Sequence, residues 1–113
     1  MEDLKKDAED NKIMGVLAYF GILFLVPYLA AKESPFARFH ANQGCILCIV
    51  MVAFYIVMVI FSMILPFSLY LIVSLLYLVG GLGITILAIL GIINAVKGEM
   101  KELPLVGKYT ILK

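Results

Sequence analysis

The amino-acid sequence predicts an all-α, polytopic integral membrane protein with three transmembrane helices and an interfacial helical section before the second. Three observations lead there. Hydrophobic residues make up 64% of the 113 positions and charged ones 15%, against roughly 45–50% and about 25% in ordinary globular domains. A soluble domain of this length hides only about two-thirds of its chain surface, too little for so apolar a composition. The charges are also segregated, with none between Ile13 and Ala31 and none between Ala41 and Val96. A helix needs about 20 apolar residues to cross a hydrocarbon core of about 30 Å. The first run therefore has room for one crossing, and the second for two crossings and a short turn.

The elements are arranged in order within a single membrane domain, 1–113. Residues 1–11 form a polar tail carrying five acids and two lysines, which enter lipid only at high cost. A cleaved signal peptide is a poor reading of the first apolar run, because Met1 to Lys12 is net acidic and no A-x-A-like site precedes Lys32. Span one is expected over 12–31, with Pro27 kinking or ending it and Tyr28 placed at the interface. Ser34-Pro35 signals a helix start: serine caps orphan N–H groups, and proline at the first helical position has none to lose. The helix over 35–65 begins with an amphipathic section and continues as span two. Pro66 marks a short uncharged turn. Span three, over 68–96, is longer than one crossing needs and contains Gly80-Gly81-Leu82-Gly83, where it has freedom to bend. Residues 97–113 mix charged and apolar positions and read as an interfacial tail.

Three spans place the two ends on opposite sides. Positive residues then favour a cytoplasmic C-terminus and an external N-terminus, in the plasma membrane of a prokaryote; a re-entrant first segment bent at Pro27 would instead put both ends inside.

The one dense polar cluster beside a span is Arg38, His40, Asn42 and Gln43. On a helix, Arg38, Asn42 and Cys45 share one face while Phe36, His40 and Gln43 share another. The cluster reads either as an interfacial anchor, with Arg38 and Lys32 reaching lipid phosphates, or as a vestibule for an anion, headgroup or partner, with His40 titrating near neutral pH. Gly81, Thr85, Ala88, Gly91 and Ala95 form a small-residue seam along span three, the pattern by which membrane helices pack closely. Gly15 and Ala18 offer a smaller patch on span one. Cys45 and Cys48 form a C-x-x-C without a second ligand pair, and in an apolar helix such cysteines behave as small hydrophobes.

Ser34-Pro35-Phe36-Ala37-Arg38-Phe39-His40-Ala41-Asn42-Gln43-Gly44 resembles the signature of small prokaryotic membrane proteins similar to the chloroplast inner-envelope import component, the Tic-twenty-like proteins. Their F-x-R-x-H-A-x-Q stretch maps onto Phe36, Arg38, His40, Ala41 and Gln43. Asn94-Ala95-Val96-Lys97-Gly98-Glu99, followed by Pro104, resembles the family's ending. The resemblance implies a helical membrane protein, and relatives that include a magnetosome-membrane protein and the four-span plastid import component.

No catalytic set, metal site or cofactor is expected, because all eight acids lie in the tails and first loop and no charge lies inside a span. The expected partners are the lipid bilayer, further copies of the chain and other membrane proteins; nucleic acid is not among them, because there is no basic cluster. Two functions stay open: a self-associating packing, assembly or scaffold component, and an oligomeric pore or transport component, including protein transport.

Overall fold

Two long helices dominate the computed structural model of the chain, which describes residues 2–112. In order, the elements are α1 (Glu2–Asp10), α2 (Lys12–Leu17), a 3₁₀ turn (Gly21–Phe24), α3 (Leu25–Ala30), α4 (Pro35–Ile64), a second 3₁₀ turn (Phe67–Leu69) and α5 (Tyr70–Val96). No strand occurs among the described residues. Pro35–Ile64 and Phe67–Val96 are each long and apolar enough to cross a membrane. At 1.5 Å per residue, the 30 residues of α4 extend about 45 Å, more than the hydrocarbon core requires.

α4 starts where Ser34-Pro35 requires. The Ser34 hydroxyl accepts from the Ala37 N–H (3.0 Å), and Pro35 opens the first turn. The same hydroxyl donates to Asp7 Oδ1 (2.6 Å), while Asp7 Oδ2 accepts from the Phe36 N–H (2.9 Å). One carboxylate thus docks α1 onto the start of α4. Ala8 adds a buried apolar contact with Phe36 and Ala95.

α4 and α5 form a hairpin. Between them the Phe54 ring lies against Gly80, where a Cβ would overlap it. Phe54 and Tyr77 meet edge to face at 6.2 Å. Below this, Met58 and Val73 are buried and the chain turns at Pro66. α5 runs unbroken through Gly80–Gly83.

The segment expected to be span one is not a continuous helix. It breaks into two six-residue helices and a 3₁₀ turn, and six residues rise only about 9 Å. The break falls at Tyr19-Phe20-Gly21, where Gly21 takes φ +63°, a conformation that side chains with a Cβ rarely adopt. Pro27 is not the breaker. It sits inside the first turn of α3, where its missing N–H costs nothing. The segment folds back against α4 and α5, its tip near Met51. The fold is therefore all-α with two helices long and apolar enough to span a membrane, and the segment expected as span one is not among them. The expected opposite-sided ends are corrected with it: α1 and the residues after α5 both pack at the Pro35 end of the hairpin.

α5 stops in a Schellman turn. The Glu99 N–H donates to the Asn94 carbonyl (2.8 Å) and the Gly98 N–H to that of Ala95 (3.0 Å), with Gly98 at φ +73°. This reversal delivers residues 99–112 back onto α4.

Candidate functional site

The polar section of α4 is where the tail lands. His40 and Gln43 are essentially inaccessible, Asn42 is buried, and only Arg38 stays exposed. Each buried member holds the backbone of the tail. The Gln43 amide donates to the Gly107 carbonyl (2.8 Å) and its oxygen accepts from the Leu103 N–H (2.8 Å). The Asn42 amide donates to the Tyr109 carbonyl (2.9 Å), and its oxygen accepts from the Ile111 (2.6 Å) and Leu112 (2.9 Å) N–H groups. Residues 99–107 thus lie over the His40–Gln43 face and 109–112 over the Asn42 flank, so the tail winds around the helix. An irregular segment has no ladder to satisfy its backbone, and side-chain amides supply the missing partners. No buried side-chain polar atom lacks a partner among the described residues.

His40 fills an aromatic box. Its ring lies 4.6 Å from Phe36, 5.2 Å from Phe39 and 5.6 Å from Tyr19, edge to face in each case. Nε2 stands 2.8 Å from the Glu99 carbonyl and Nδ1 stands 2.6 Å from the Tyr19 hydroxyl. A carbonyl only accepts, so Nε2 carries the proton and Nδ1 accepts from Tyr19. This links the folded-back segment, α4 and the tail through one ring. The vestibule reading of His40 is corrected here: the ring is covered and both nitrogens are engaged. The Glu99 side chain points away to Lys101 (2.7 Å), whose hydrogen bond holds its carboxyl below the usual carboxylate range.

The small-residue seam divides. Ala95 is buried beside Phe36, and Gly91 lies flat against the Tyr19 ring. Ala88 packs on the cluster of Ala18, Tyr19, Leu47 and Leu103. Thr85 instead donates to its own helix at the Gly81 carbonyl (2.7 Å), and Gly81 faces open space. Gly15 and Ala18 are both buried in the same intramolecular packing. A bulky residue at Gly91 must displace Tyr19, so Gly91→Leu is expected to cost about 1–3 kcal/mol and lower the unfolding midpoint in detergent. Gly81→Leu meets no atom within 4 Å and is expected to leave that midpoint unchanged. Equal losses would refute this division of the seam.

Cys45 is buried and Cys48 half-buried, both as free thiols. The described residues contain no group of three metal-ligating side chains. Sequence reasoning missed Tyr19, Asp7 and the backbone of 103–112 as partners of the cluster. The Gly98 stop and the Pro104–Gly107 break were the available signals that the tail turns back.

The geometry defines a class: a two-helix membrane hairpin whose polar cluster clasps both flanking segments at one end. The chain belongs to the magnetosome magnetite crystal formation protein family of MamF and MmsF, whose profile matches residues 10–110. It is 31% identical to the magnetosome protein MamF of Paramagnetospirillum magneticum (strain ATCC 700264 / AMB-1) over 100 residues, 88% of this chain and 82% of that protein. No solved structure matches. The family match overturns the resemblance to the plastid import component and the protein-transport role it carried. That resemblance also covered nearly the whole chain, but most of what it covered is generic apolar sequence; the family profile over residues 10–110 and the 31% identity to MamF decide against it.

Proposed function

We propose that this protein is a non-enzymatic scaffold of the magnetosome membrane that contributes to magnetite crystal formation by self-association, with its folded cap on the cytoplasmic face. Family membership supports the process and the compartment, in place of the plasma membrane expected from the sequence. The observation that carries the role is one-sidedness. All described lysines and arginines lie at the Pro35 end of the hairpin, and the opposite turn, Leu65–Leu69, has none. With two spans, the positive-inside rule directs both ends to the cytoplasm. The crystal-facing side then carries only an uncharged turn, so the protein acts through what it assembles and not through a lumenal ligand set. The pore alternative needs His40 and Gln43 at an open mouth; their cover by the tail favours the scaffold.

The test uses magnetite-forming cells lacking their own family member and supplied with this protein bearing a C-terminal tag. Expected are a signal along the magnetosomes, protease access to the tag on intact isolated magnetosomes, and crystal sizes that change with the protein's presence. An even envelope signal with unaltered crystals would refute the scaffold; a protected tag would reverse the orientation.

A further inference from the structure

We propose that Lys32 and Arg38, with Tyr28, form a binding site for the phosphate of an anionic phospholipid at the outer corner between α3 and α4. The cluster residues bound to the tail leave Arg38 out: it borders Asn42 and Thr110 but stays exposed. Two cavities open at this corner, and both are lined by Lys32 and Arg38 together. The smaller, about 330 Å³, is completed by Tyr28 and Leu29. The larger, about 820 Å³, adds Phe39, Asn42, Thr110 and the carboxylate-bearing Glu33. Among the described residues, the ion pair formed is Lys101–Glu99, and neither Lys32 nor Arg38 has a salt-bridge partner.

Depth supports a lipid as the occupant. Arg38 stands six residues, about 9 Å along the helix, before Gly44, where the apolar run of α4 begins. That is headgroup level for a helix whose later side chains, from Ile49 onward, are largely exposed and apolar. Tyr28 has the amphipathic ring common at this depth, and Leu29 is exposed beside it for an acyl chain. A guanidinium presents a planar fork to two phosphate oxygens, and an ammonium adds a mobile point charge. Glu33, on the larger cavity, disfavours highly charged anions and suits a phosphodiester of single charge. The site is independent of the scaffold reading and of which face the cap occupies.

The test is native mass spectrometry of the full chain released from phosphatidylcholine nanodiscs holding a minor share of phosphatidylglycerol. Wild type is expected to retain phosphatidylglycerol above its share in the disc. The double variant Lys32→Gln/Arg38→Gln is expected to lose about tenfold of that enrichment, while Lys5→Gln/Lys6→Gln on the exposed face of α1 keeps it. Amide protection at Leu103 checks that the variant's cap is intact. As an arm that needs no variant, enrichment in wild type is expected to fall as salt rises. Retention that ignores headgroup, salt or the double variant would overturn the proposal. Arg38-dependent adducts of inorganic phosphate in neutral detergent, matching the lipid in affinity, would reassign the site to free phosphate and overturn the lipid.

Discussion

Gln43→Leu is expected to release the C-terminal tail from Leu103 onward while leaving the helical hairpin intact. Leucine keeps the volume but removes both halves of the clasp, stranding the Leu103 N–H and the Gly107 carbonyl where both residues are buried. An unsatisfied buried polar group costs about 1–3 kcal/mol, and here there are two, so undocking becomes the cheaper state. Hydrogen exchange at the Leu103 amide and tryptic cleavage at Lys101 and Lys108 should both accelerate. Asn42→Ala should free only 109–112, because its partners are Tyr109, Ile111 and Leu112. Unchanged exchange at Leu103 in Gln43→Leu would mean that apolar contacts of Leu103 and Val106, not the amide clasp, hold the tail.

Gly44→Ala should damage the opposite flank of the same helix. A Cβ there would overlap the Ala18 carbonyl and press on the Phe24 Cβ at 3.1 Å. Backbone cannot yield as a side-chain tip does, so the folded-back segment has to move. The cost is expected at or above the upper end of the about 1–3 kcal/mol typical of overpacking. Cys48, which shares a groove with Tyr19, Phe20 and Gly21, should then alkylate faster. Gly83→Ala is the control, since nothing lies within 4 Å of that position. Matching unfolding midpoints and Cys48 rates for the two variants would show that α4 and residues 18–24 are not in tight contact.

Both effects converge on the part of the molecule that is hardest to read from sequence. The helical class, the Ser34-Pro35 start, the Pro66 turn and the apolar runs are legible because each is a local signal. Residues 12–31 mislead because an apolar run of one span's length has the same composition whether it crosses or folds back. Pro27 attracts the break, yet the chain bends at Gly21, where the left-handed conformation is needed. The cluster stands out as polar, but its purpose rests on contacts 59 to 70 positions away in the chain. Side-chain to backbone bonds of that range leave no periodicity. Arg38 looks like a member of the set because it is adjacent in sequence; it shares the Asn42 flank of the helix but stays exposed.

The order in which the chain emerges gives the clasp a temporal meaning. Segments fold as they are made, N-terminal first, so α4 enters the bilayer with Asn42 and Gln43 still lacking partners that lie more than 60 residues downstream. Those amides stay waiting until residues 103–112 are synthesised. Closure of the cap therefore follows synthesis of both long helices. A chain cut before Leu103 would leave Asn42 and Gln43 without these partners, as an open, polar end on α4.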